Sequence, residues 1–183
     1  MGGQTPVGYM VRRAQPGDVD AVIEVARAAW EATYEHILPR WFRERAIAEW
    51  YARDGLLRAV QQPGGAFFVA EDDGGRLVGF AQASHRGQSE DVELWRIYVL
   101  PEHQRQGLGR RLLQACVEAL GSVRPVRRVY VQVETENEPA VRAYTAWGFR
   151  LVRQYEERIF DYPCRMTELC LEIDADSVDL ARA

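Results

Sequence analysis

The sequence predicts a single domain of the mixed α/β (α+β) class, and three observations carry that expectation. Stretches with apolar residues at helical spacing alternate with stretches of period two. Glycine, proline and aspartate mark the joints at intervals suited to strands and helices. The 183 residues, 47% hydrophobic and 27% charged, have the composition of one ordinary globular core. No internal repeat, low-complexity tract or Pro/Ser linker divides them. The core is expected over about residues 8–173, with the acidic, polar stretch 174–183 as a frayed tail.

Tyr9 to Arg13 reads as a short first strand. Pro16-Gly17-Asp18 makes a turn with an N-cap candidate that opens a helix through about Tyr34, and a second helical stretch covers roughly Pro39 to Gln61. From Ala66 the period drops to two. Phe67 to Glu71, Leu77 to Ser84 and Val92 to Leu100 read as strands of an antiparallel meander, separated by Asp72-Asp73-Gly74-Gly75 and a polar turn from Arg86 to Asp91. A helix then runs from Gly107 to about Leu120, with Leu108, Leu112, Leu113, Cys116 and Leu120 on one apolar face. Val129, Val131 and Val133 alternate in a fifth strand. Asn137 to Trp147 is a short helix closed by Gly148, and strands around Phe149 to Ile159 and Arg165 to Ile173 end the fold.

Composition also excludes function classes. The longest apolar run is five residues, Ala66 to Ala70, against the roughly 18 of a membrane span. The start Met-Gly-Gly-Gln-Thr-Pro lacks the basic and apolar regions of a secretory signal, so a cytoplasmic location is expected. Three cysteines without C-x-x-C spacing and three scattered histidines argue against a disulfide framework and a structural metal. All 23 basic residues are arginine, and 27 acidic ones leave a formal charge of −4, which argues against a nucleic-acid partner.

The most informative stretch is Leu94 to Gly109, LWRIYVLPEHQRQGLG: a strand ending at proline, a polar loop, G-x-G, then an amphipathic helix. Free amides at a helix N-terminus and the positive end of its dipole favour a phosphate. With no lysine in the chain it is not a Walker loop, and Leu112 stands where a dinucleotide fingerprint needs a third small residue.

Gln104-Arg105-Gln106-Gly107-Leu108-Gly109 resembles the Q/R-x-x-G-x-G/A signature of the GCN5-related N-acetyltransferase (GNAT) superfamily. The likeness extends to the strand from Glu93 and to a second motif, Asn137-x-x-Ala140-x-x-x-Tyr144-x-x-x-Gly148-Phe149. It implies that fold, a single mixed, mostly antiparallel sheet flanked by helices, and acetyl-coenzyme A as co-substrate without a metal. By the same resemblance the backbone from Arg105 to Arg110 (Gln106, Gly107, Leu108 and Gly109 included) cradles the pyrophosphate, with charge from Arg105, Arg110 and Arg111. Ile97, Tyr98 and Val99 hold the pantetheine arm and thioester by main-chain hydrogen bonds, and Asn137 touches the arm besides capping its helix.

Acetyl transfer to an alkylamine needs the neutral amine, yet at a pKa of ~10.4 about 99.9% is protonated near pH 7.4, a deficit of ~4 kcal/mol. A carboxylate acting directly or through a water removes that proton, and an acid near the sulfur protonates the departing thiolate. The resemblance assigns the acid to Tyr144. Glu93, Glu134 and Glu136 all lie near strand ends that face an acceptor, and Glu93 is preferred as base. It shares a strand with the thioester-binding backbone and, by the period of two, a face with Trp95, Ile97 and Val99. Gln132 departs from relatives that acetylate ribosomal-protein N-termini, which often carry glutamate five residues before the motif asparagine.

In such proteins the first two helices and their loop, here Trp30 to Trp41, select the acceptor. Tyr34, His36 and Trp41 are candidates to line a pocket, while Trp30 and Trp50 fit ordinary packing. Glu31, Glu35 and the net charge point toward a cationic small amine. The function expected is N-acetylation of a primary amine of a small molecule or peptide by direct transfer. The alternatives are a non-catalytic acyl-coenzyme A sensor and a protein- or tRNA-directed acetyltransferase using a basic patch of Arg40, Arg43 and Arg45. Homodimers are common among members of that superfamily, an analogy that leaves the oligomeric state of this chain open.

Overall fold

In a computed structural model the chain is described from residue 8 to residue 173, so the tail expected over 174–183 lies outside the described residues. The strands are β1 (Tyr9–Arg13), β2 (Ala66–Asp72), β3 (Leu77–His85), β4 (Asp91–Val99), β5 (Arg128–Glu134), β6 (Arg150–Ile159) and β7 (Tyr162–Glu172). The helices are α1 (Val19–Tyr34), α2 (Arg40–Trp50), α3 (Arg53–Gln61), α4 (Leu108–Gly121) and α5 (Glu138–Ala146). All seven strands join one sheet in the order β1-β2-β3-β4-β5-β7-β6. Neighbours are antiparallel except β4 and β5, which run parallel because α4 carries the chain between them. The mixed, mostly antiparallel sheet flanked by helices is the class the sequence predicts.

The core lies on both faces of the sheet's first half. On one face Phe67 and Phe80 stack with centroids 6.1 Å apart, Tyr98 lies 5.9 Å from Phe80, and Trp30 of α1 and Tyr51 pack onto them. On the other lies α4, whose Leu108, Leu112, Leu113, Cys116 and Leu120 are all buried, as its apolar stripe requires. The second half is barer. β6 is an edge strand, and none of its ten residues is buried.

Two element boundaries differ from the sequence expectation. The helical stretch over Pro39 to Gln61 is two helices, because Tyr51 leaves helical geometry to bury its ring, and its hydroxyl accepts from Trp30 Nε1 at 3.0 Å. That is a tertiary contact overriding local propensity. β7 begins at Tyr162 rather than Arg165, with Pro163 inside it. Proline is tolerated there because β7 pairs with β5 only from Met166 onward, so Pro163 has a neighbour on one side alone.

Candidate active site

The parallel contact between β4 and β5 is short. Asp91 to Leu94 pair with Arg128 to Val131 and the ladder stops, while β4 continues to Val99 against β3 and β5 continues to Glu134 against β7. The β5-facing main chain of Trp95 to Val99, with Ile97 and Tyr98 between, therefore has no strand partner. Apart from the Val99 carbonyl, which accepts from Gln104 Nε2 at 2.9 Å, this seam offers backbone donors and acceptors to a guest.

A bulge sits at the mouth of the seam. Gln82 faces Arg96 while its neighbour Ala83 faces Leu94, which leaves Trp95 as an extra residue. The bulge corrects the expected facing of Glu93. Glu93 stands opposite Ser84 and Arg96 opposite Gln82, two positions on one face of β3, so Glu93 shares the face of Arg96 and Tyr98 and not that of Ile97 and Val99. An inserted residue inverts the alternation, and nothing in the local pattern of the sequence announces it.

Beyond Val99 the chain makes a helical turn at Pro101–His103 and two left-handed residues, Arg105 at φ 59° and Gly107 at φ 76°. Left-handed residues in a turn curl successive amides into a concavity that suits an anion. Gly107 is also the N-cap of α4 and no side chain caps the helix, so its first amides are open to a ligand. Arg105 and Gln106 are exposed beside this concavity and Arg110 is partly buried on the first turn of α4. Leu108 points into the core, so only its backbone can serve a ligand. Arg111 donates to the Tyr9 carbonyl at 2.8 Å, which ties α4 to β1. Gly109 has a structural reason of its own: a Cβ there would come within 2.7 Å of the Trp147 ring.

Across the seam, after β5, Asn137 caps α5, accepting from Ala140 N at 3.3 Å. Seven residues on, Tyr144 is buried with its ring 5.2 Å from Phe149 and 5.4 Å from Trp147. Burial first, then the neighbouring Tyr34, holds its phenol far above the ordinary range, so it is fully protonated at neutral pH. Tyr34, raised by burial, is flanked by the Tyr98 and Asn137 side chains with the Glu134 carboxylate close by. Three phenols from α1, β4 and α5 thus meet Asn137 and Glu134 where β4 and β5 part. Sequence reasoning gave Tyr98 only a backbone role and placed Tyr34 among several pocket aromatics; their meeting depends on long-range packing that no local pattern reports.

Glu93 is buried, and Arg86 Nε donates to it at 2.6 Å. Arg86 also reaches Glu168 at 3.1 Å, and Arg153 holds Glu168 from the other side at 2.8 Å. Burial raises the Glu93 carboxyl against the pull of Arg86. In Glu168 burial acts the same way, but two guanidiniums outweigh it and hold the carboxyl low. Burial also raises Glu134, whereas Glu136 is exposed and paired with Arg165 at 2.9 Å. Arg86 and Glu168 escaped the sequence reading, since 82 positions separate them.

The loop after α1 and the turn between β6 and β7 bound this region. Phe160 and Asp161 form that turn with φ 52° and 62°, a conformation unfavourable for a bulky side chain and held by packing. The Phe160 ring stacks 5.2 Å from Trp50, meets Phe42 at 5.2 Å and lies 4.4 Å from the Arg45 guanidinium. Trp41 packs on Phe42 and Tyr162, and His36 is exposed. The expected basic patch is not one. Arg43 is buried and bonded to Glu31 and to the Leu38 carbonyl, while Arg40 pairs with Glu44 and Arg45 with Glu49. The same clamp uses Glu31, which removes one support for a cationic acceptor. Among the described residues no group of three or more histidine, cysteine or acidic side chains is arranged to hold a metal ion.

Known proteins resemble this chain in sequence and in fold. The model of the acetyltransferase (GNAT) family matches residues 22–149. A mycothiol acetyltransferase of Actinosynnema mirum is 35% identical over 150 residues, covering 79% of this chain and 45% of its own. An N-alpha-acetyltransferase of Sulfurisphaera tokodaii is 30% identical over 155 residues, 79% of this chain and 82% of that protein. The chain spans about half the length of the mycothiol acetyltransferases it matches. In fold it is similar to PaiA N-acetyltransferase of Thermoplasma acidophilum, solved in complex with coenzyme A, with a TM-score of 0.73 and 24% identity over 88% of this chain and 98% of that one.

Proposed function

The chain belongs to the acetyltransferase (GNAT) family, and from that premise we propose that it transfers the acetyl group of acetyl-coenzyme A directly to a primary amine of a small molecule or peptide. The observation that carries this reading is the seam opened after Leu94, with an anion-binding concavity beyond Val99 and a protonated, buried tyrosine beside it.

In this reading the main chain from Arg105 to Arg110 takes the diphosphate of the coenzyme. The backbone of Ile97, Tyr98 and Val99 takes the pantetheine arm and thioester, and an amide of that strand donates to the carbonyl oxygen as charge develops on it. Asn137 contacts the arm. The amine nitrogen attacks the thioester carbon, the carbon–sulfur bond breaks, and Tyr144 gives its proton to the leaving thiolate. Glu93 receives the amine's surplus proton through a water; its raised carboxyl and its place at the mouth of the seam, next to Leu94, support the role. The products are an amide and free coenzyme A, with no covalent enzyme intermediate.

Relatives are named for mycothiol, an N-alpha position and spermidine, which keeps the acceptor class at an amine. No helix among the described residues is long and apolar enough to cross a membrane. We place the protein in the cytoplasm, where its three free cysteines stay reduced. The test is incubation with acetyl-coenzyme A and a broad amine panel while free thiol is followed. Acceptor-dependent thiol release is expected. Tight coenzyme binding without release marks a sensor and overturns the reading.

A further inference from the structure

Several arginines on or beside the sheet face a carboxylate, as Arg12 does Asp18, Arg86 Glu93 and Glu168, Arg128 Asp91 and Arg153 Glu168, whereas Arg13 on the outer strand meets the Gly65 carbonyl and the Phe68 ring. Arg96 faces no carboxylate either. Among the described residues its partners are the Trp50 carbonyl, to which Nη1 donates at 2.9 Å, and the Tyr51 ring, whose centroid lies 4.7 Å from its guanidinium carbon. Burial pulls this guanidinium below its ordinary value, opposite to the direction in the paired Arg12, Arg86 and Arg128. Directly across the strand pair stands Gln82, whose side-chain oxygen is buried without a hydrogen-bond partner. Two polar groups short of partners thus sit side by side on a face that carries Tyr98 on one side and, across the bulge, Glu93 held by Arg86 on the other.

The position matters as much as the missing counter-ion. The bulge at Trp95 turns Arg96 onto the face of Tyr98, and Arg96 lies one residue before the unpaired main chain of Ile97 to Val99. Its guanidinium stands at the Tyr51 end of a row of neutral phenols that runs through Tyr98 and Tyr34 to Asn137. One two-residue step of strand, about 7 Å, separates Arg96 from Tyr98. A half-buried cation without a counter-ion is costly. The carbonyl end of α2 supplies only a partial negative charge, of the order of half an elementary charge. After one bond to Trp50 the guanidinium keeps donors in the fork geometry that suits a carboxylate.

We propose that Arg96 anchors an anionic group of the acceptor, so that the substrate class is an amine carrying a carboxylate a few bonds from its nitrogen. This rests on the acetyl-transfer reading and narrows it. In a protein of net charge −4, an anionic acceptor needs such a local cation.

The test compares matched acceptors, phenylalanine with phenethylamine and 4-aminobutyrate with butylamine, by kcat/KM in the wild type, Arg96→Met and Arg96→Lys. The wild type is expected to favour the carboxylate-bearing member of at least one pair about tenfold or more, the factor of about 1.4 kcal/mol. Arg96→Met should erase the preference through KM, and Arg96→Lys should restore part of it. A merely structural Arg96 would change both members of a pair alike, and a wild type without preference in either pair overturns the proposal whether or not the variants fold. Calorimetry of the two carboxylates with coenzyme A-saturated protein separates the readings. Binding that Arg96→Met abolishes, without turnover, keeps the anion site and sinks acetyl transfer, whereas turnover without preference does the reverse.

Discussion

The two halves of the sheet are built differently. From β1 to β4 both faces are covered, by α1 and Tyr51 on one side and α4 on the other, and Phe67, Val69, Phe80 and Ala81 are at most 2% exposed. From β5 to β6 cover thins out, and Leu151 and Val152 on the edge strand are 61% and 48% exposed. The covered half supplies stability and the open half supplies access; the chemistry is expected where they meet, because there ordered main chain is left unpaired in the middle of the sheet.

Substitutions can break or sharpen that contrast. The largest effect is expected at the junction. Tyr144→Phe should lower kcat by roughly 10² to 10⁴, the usual worth of a general acid, while Tm moves by only about 2 to 4 °C, as ~1 kcal/mol shifts a domain of this size. Steady-state kinetics beside a melting curve checks both. In the covered half Phe80→Ala should cost about 3 to 5 kcal/mol of unfolding free energy in a denaturant titration.

Glu93→Gln should lower kcat about 10²-fold and also change the pH profile. A base works only when ionised, so the wild-type rate should fall as pH drops through a Glu93 value raised above the ordinary carboxylate range, and that acid limb should vanish in the variant. A smaller effect is expected at the concavity. Gly107→Ala places a Cβ on a backbone at φ 76°, which costs about 1 to 2 kcal/mol, and titration calorimetry should show coenzyme A binding roughly tenfold weaker. Least of all, Leu151→Ser on the bare edge should change stability by no more than about 0.5 kcal/mol.

What the sequence disclosed follows the same division. Strand-like stretches bounded by turn residues located every strand and most helix limits, and burial against the sheet writes itself into the stripe on α4. The capping Asn137 and the closing Gly148 were readable because backbone geometry restricts those positions to few residue types. The bulge at Trp95 was not, because an inserted residue leaves both flanking patterns intact and only exchanges their faces. Arg96 and the Glu93–Arg86–Glu168 group were hidden for another reason: their meaning lies in which partners are present or missing across the fold, not in their neighbours along the chain.

The ladder that ends at Leu94 also bears on how such a protein can change. In the proposed reaction the donor side rests largely on peptide groups, which most substitutions leave in place, whereas the acceptor side rests on side chains. Mutation can therefore wander through new recipients while the supply of acetyl groups stays the same, and a lineage founded on this architecture would diversify in what it modifies long before it loses the means of modifying anything.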